Sequence, residues 1–107
     1  MKNYLFSILT VVLYTTASLS QTQKDLYNQS VATYKAKNFT EFLKINQKLD
    51  SIRPMHPTFT YNLAAAYALT DNKEMALKVL GKIALMNTKV DFENDPDFDS
   101  LKQTDEF

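Results

Sequence analysis

Apolar side chains recur every three or four residues along most of this chain, in blocks separated by short polar or proline-bearing breaks. In the first block Leu26, Tyr27, Val31 and Tyr34, with the small Ala32, share one helical face over residues 25–37. Lys37-Asn38 interrupts it and Thr40 offers a cap; Phe39, Phe42, Leu43, Ile45, Leu49 and Ile52 then draw a second face. The two prolines of Arg53-Pro54-Met55-His56-Pro57 remove backbone donors and restrict the residues before them, so no helix runs through. Thr58 offers the next cap. Phe59, Leu63, Ala64, Tyr67 and Ala68 follow at helical spacing, enriched in alanine, the best helix former. After a turn at 70–73 the pattern predicts a fourth helix over 74–86, with Met75, Ala76, Leu77, Val79, Leu80, Ile83 and Ala84 as its apolar positions. Asp95-Pro96 reads as a cap followed by proline in the first turn, predicting a short fifth helix over about 96–103. No segment alternates as a strand would. Short turns force neighbouring helices antiparallel, so the expected fold is all-α, built of helix-turn-helix hairpins.

The hairpins repeat. Shifting the chain by 34 residues superposes Tyr27 on Tyr61, Ser30 on Ala64, Asn38 on Asn72, Leu43 on Leu77 and Leu49 on Ile83. That period, together with Leu63-Ala64-x-x-Tyr67 and the small Ala76 followed by Leu80, resembles the tetratricopeptide repeat family. The second unit, about 57–90, carries the pattern more clearly than the first, about 23–56. In the first, Tyr34 falls one place late and Phe42 stands where a small residue is expected; Pro54 sits at the closing proline, and Thr88 replaces it in the second. The resemblance implies a short α-solenoid whose first helices line a concave face. By register that face holds Tyr27, Val31, Tyr34 and Lys35 from one unit, and Thr58, Tyr61, Ala65 and Ala68 from the next. The tail, with Asp-Pro-Asp-Phe at 95–98 and Leu101, is similar to the closing segments of exported bacterial members, in which the Phe and Leu pack over the last hairpin. The division expected is therefore a leader at 1–20, two hairpins over 21–90, and an acidic capping segment with a short helix over 91–107.

The leader rests on its own chemistry. Lys2 precedes a ten-residue apolar run, Leu5 to Tyr14, softened by Ser7 and Thr10, and then residues up to Ser20 that are small or polar apart from Leu19. This is the order of a secretory signal peptide, and the run falls short of the roughly 20 apolar residues that cross a bilayer. Cleavage before Gln21 would deliver an exported chain, periplasmic or secreted, with no stable membrane insertion afterwards. The absence of Cys fits an oxidising compartment and excludes both disulfides and thiolate catalysis.

Net charge is zero but segregated: residues 21–90 hold ten Lys/Arg against five Asp/Glu, while 91–107 hold seven acids and Lys102. The resulting +5 of the body is too weak for nucleic acid. One Gly leaves no phosphate-cradling loop, and His56 has no second His or Cys to complete a zinc site, so it reads as a surface loop residue. Asp95, Asp97 and Asp99 alternate, with Glu106 beyond, in the manner of a calcium loop, but Ser100 occupies the place where that turn needs Gly. Asn28-Gln-Ser30 and Asn38-Phe-Thr40 satisfy the glycosylation pattern. No catalytic carboxylate pair or nucleophile triad assembles, and no cofactor is expected. The reading is a non-catalytic protein or peptide binder; the alternative is an accessory domain docking on a larger partner or a propeller-type domain. With only two repeats, the open end also invites self-association.

Overall fold

A computed structural model describes residues 22–86 and 93–107. The expected leader and the closing positions Thr88 and Phe92 lie outside the described residues. The chain is all-α. Helix α1 spans residues 22–35, α2 Phe39–Ile52, α3 Pro57–Leu69 and α4 Lys73–Leu85, and a 3₁₀ helix, Pro96–Leu101, follows.

Successive helices pack as antiparallel hairpins. Tyr34, late in α1, stacks obliquely on Phe42, early in α2, with ring centroids 5.3 Å apart. Leu26, early in α1, meets Ile45 and Leu49 further along α2, together with Phe59 at the start of α3. Beyond them Leu63, Ala64, Ala65 and Ala68 of α3 bury against Ala76, Val79, Leu80 and Ile83 of α4, and against Phe98 and Leu101 of the 3₁₀ helix.

The period of 34 read in the sequence is present in the backbone. In the first hairpin turn Lys37 N–H donates to Tyr34 C=O and Asn38 N–H to Thr33 C=O; in the second, Asp71 N–H donates to Ala68 C=O and Asn72 N–H to Tyr67 C=O. Each is a Schellman closure, and each needs a left-handed residue, supplied by Lys37 at φ 58° and Asp71 at φ 62°. The buried positions repeat as well. Helix α2 buries Phe42, Ile45, Asn46 and Leu49, and α4 buries Ala76, Val79, Leu80 and Ile83, each one period further on. Ser30, Ala64 and Phe98, again one period apart, are all almost fully inaccessible. The 3₁₀ helix thus continues the repeat with a shortened first helix of a third unit.

Several caps differ from the sequence reading. Thr40 does not cap α2; Asn38 does, its side-chain oxygen accepting from Glu41 N–H, and Phe39 opens the helix. Thr58 does not cap α3, because Pro57 already occupies the first helical position, where its missing donor does no harm. The cap falls to His56, whose Nδ1 accepts from Phe59 N–H and whose ring stacks on Phe59 with centroids 4.0 Å apart. His56 is therefore half-buried and structural. The tail helix is 3₁₀ and ends at Leu101, because its buried residues lie three apart, at Phe98 and Leu101.

The first unit differs from the second at one buried pair. Where the second has Ala64 and Leu80, the first has Ser30 and Asn46, and Asn46 Nδ2 donates to Ser30 Oγ at 2.9 Å and to Phe42 C=O at 2.8 Å. Asn46 Oδ1 is buried without a partner. Ser30→Ala should cost about 1–2 kcal/mol by removing one acceptor from a buried amide. Adding Asn46→Leu should recover most of that loss, because it replaces the whole polar pair by the apolar pair of the other unit; urea denaturation of the two singles and the double checks the non-additivity.

Candidate functional site

The face formed by α1, α3 and the tail gathers most of the residues that the register assigns to the concave surface. Tyr27, Val31 and Tyr34, at i, i+4 and i+7 of α1, are exposed large side chains, and Lys35 beside them is also exposed. They line a hollow of about 380 Å³ together with Ser30, Phe42, Asn62, Ala65 and Asp97. Ala65 is 2 % exposed and lies in the floor between α1 and the tail. A methyl group there leaves the depth that a larger side chain would fill.

The register also named Tyr61 and Ala68, and these lie under the tail. Tyr61 is half-buried; its hydroxyl donates to Asp95 and its ring meets Phe98 edge-on at 5.6 Å. Ala68 is buried, and its carbonyl accepts from Ser100 Oγ at 3.4 Å. Thr58 lines a different depression, with Gln23, Lys24, Tyr27, His56 and Phe59. The eight proposed contact residues thus divide: Tyr27, Val31, Tyr34, Lys35 and Ala65 come together, Tyr61 and Ala68 hold the closing segment, and Thr58 lies apart. Sequence reasoning missed Asn62, Phe42, Ser30 and Asp97. Asn62 was findable, three residues before Ala65 on the same helical face. Asp97 was not, because it enters through chain closure over 63 residues.

Tyr34 and Asp97 join the two sides of the hollow. The Tyr34 hydroxyl lies 2.9 and 3.0 Å from the two carboxylate oxygens of Asp97. Burial pushes the Tyr34 phenol up to about 12, and the hydrogen bond to Asp97 and the charges of Asp97 and Asp95 act in the same direction. Each of the three alternating carboxylates has its own donor. Asp95 accepts from Asp97 N–H as well as from Tyr61, Asp97 accepts from Tyr34, and Asp99 pairs with Lys102 Nζ at 2.6 Å. Among the described residues no cluster of His, Cys, Asp and Glu has the geometry to hold a metal ion, and no helix is long and apolar enough to cross a membrane.

Beneath the site, Phe98 and Leu101 are 0 % exposed and fix the tail to α3 and α4. Phe107 packs beside Leu77, Leu80 and Ala84 of α4. On the outer side of α4, Leu85 remains 84 % exposed.

These elements define a class: a stack of helical hairpins with a period of 34 residues, an end covered by a 3₁₀ segment, and an aromatic-lined hollow across its first helices. No family model, curated protein or solved structure matches the chain.

The phenol of Tyr34 binds its proton more tightly in the folded chain than in the unfolded one. The stability this contributes is complete below pH about 10, the ordinary phenol value, and is lost as the pH rises towards about 12. Ultraviolet titration should lose a late tyrosine transition in Tyr34→Phe, and Asp97→Asn should move that transition to lower pH by removing the carboxylate that opposes the phenol's ionisation; a titration unchanged in both variants would contradict the assignment.

Proposed function

We propose that this chain is an exported, non-catalytic interaction module of the tetratricopeptide kind, which binds a peptide segment or partner domain through the hollow between α1 and the tail. The observation that carries the reading is the row Tyr27, Val31 and Tyr34, left exposed on a helix whose other face is packed, around a floor kept low by Ala65. Tyrosines offer wide, amphipathic contact area at little rotamer cost, and a preformed apolar hollow spares a ligand the cost of opening one. The volume falls within the range of small ligand sites, about 300–1,000 Å³, which suits one or two side chains of an extended segment. Recognition on this reading is burial and hydrogen bonding with no covalent step.

Membership of the tetratricopeptide family is supported by the period, by the paired Schellman turns and by the small residues Ala64 and Ala76 where helices approach closely. Export is supported by the order of charge, apolar run and small residues in 1–20. A second reading, an accessory domain docking end-on against a larger partner, is favoured by Leu85, an exposed leucine at the end of the last hairpin.

A photo-crosslinker at position 31 should capture a partner in host cells, whereas one at Lys48, on the exposed side of α2, should not; equal capture at both would remove the hollow from the proposal. N-terminal sequencing of the protein recovered from the host envelope should begin at Gln21, and a chain still starting at Met1 would reject the leader.

A further inference from the structure

Asp97 occupies a corner of the hollow in which the charges nearest to it are acidic. Burial lifts its carboxyl above the ordinary carboxylate value, the Tyr34 hydroxyl acts the other way, and Asp95 and Asp99 raise it further. A value raised by folding means that the contribution to stability is present below the unfolded value and is lost as the pH rises through the folded one, so at neutral pH the ionised carboxylate is held at a cost. Among the described residues no Lys or Arg forms an ion pair with Asp97; Lys102 pairs with Asp99 instead. Tyr34 supplies a single hydroxyl, shared between two carboxylate oxygens that have lone pairs to spare. Val31 and Ala65 are apolar residues lining the same hollow, and Tyr27 and Tyr34 line it with them.

Resting on the groove reading above and deepening it, we propose that the hollow receives one arginine side chain from an extended partner segment, its guanidinium paired with Asp97 and its aliphatic stem laid along Val31 and Ala65. Arginine matches each feature in turn. Its planar fork meets a carboxylate through two parallel hydrogen bonds, which the ammonium of lysine cannot do. It stacks on tyrosine rings, and its three-carbon stem covers apolar surface. The positive charge offsets the mutual repulsion of Asp95, Asp97 and Asp99. Lys35, the hollow's own cation, repels a second base, so the fit is to a single arginine between uncharged residues. An acidic segment would meet the Asp97 carboxylate directly.

The test uses the purified protein and a fluorescein-labelled peptide, Gly-Ser-Leu-Arg-Leu-Ser-Gly, with versions carrying norleucine or glutamate in place of the arginine, read by fluorescence anisotropy. The arginine peptide should bind about tenfold more tightly than the norleucine one, the size of a modest charge-assisted pair. Asp97→Asn should abolish that preference while leaving helical content unchanged, since the amide oxygen still accepts from Tyr34. Equal binding of the arginine and norleucine peptides, preference for glutamate, or an arginine preference that survives Asp97→Asn would overturn the proposal while leaving a groove that binds peptide. No binding by any of the three, alongside crosslinking from position 31, would likewise overturn the arginine and leave the groove; no binding and no crosslinking would overturn both.

Discussion

Helix α3 is enclosed by α2, α4 and the tail, and its alanines let them close in. It buries Phe59, Thr60, Leu63, Ala64, Ala65, Ala66 and Ala68, which leaves little of its circumference free. A helix apolar on nearly all sides belongs at the centre of a stack. Small methyl side chains let helices approach closely, and the larger Leu80, Ile83 and Phe98 are buried in the same cluster beside them. The same economy of side chain shapes the outer face. Where α3 runs between α1 and the tail it presents Ala65, and the space a larger residue would take becomes the floor of the hollow.

The tail carries two roles that the fold cannot separate. Its apolar residues, Phe98 and Leu101, cover α3 and α4 in the register of a third repeat, which removes apolar surface that a two-repeat stack would leave wet. Its polar residues turn outward. Asp95 fixes Tyr61, while Asp97 reaches Tyr34 and supplies the acidic side of the hollow. The rim of the candidate site is thus held in place by core packing, and loosening the cap would also open the site.

The first hairpin accepts a polar compromise that the second avoids. Asn46 and Ser30 satisfy each other in part, but Asn46 Oδ1 remains buried without a partner, as does Thr60 Oγ1 in α3. A partly satisfied polar pair in a low-dielectric interior is less stabilising than the apolar pair one period later. The pair does tie α1 to α2 at one point, through the hydrogen bond from Asn46 Nδ2 to Ser30 Oγ.

The sequence by itself determined the helices, the turns and the repeat. Those properties are local: apolar spacing selects the face that α2 and α4 bury, prolines and polar pairs end the helices, and the buried positions of α2 reappear one period later in α4, whereas α1 leaves its apolar row Tyr27, Val31 and Tyr34 exposed and buries Ser30. Phe98 and Leu101 were legible as capping residues only through the resemblance of the tail to tetratricopeptide closing segments, not through their spacing. The caps at Asn38 and His56 were less so, since several neighbouring polar side chains competed for each helix start and backbone geometry chose among them. The site was legible in half. Tyr27, Val31, Tyr34 and Lys35 share one face of one helix, so periodicity groups them. Which residues of the second unit join them depended on where the tail settles, and that is a matter of tertiary packing: burial of Phe98 carries Asp95 onto Tyr61, covers Ala68, and brings Asp97 to Tyr34. A contact spanning 63 residues leaves no periodic trace in the chain, because it is set by the volume left between helices and not by any spacing along them.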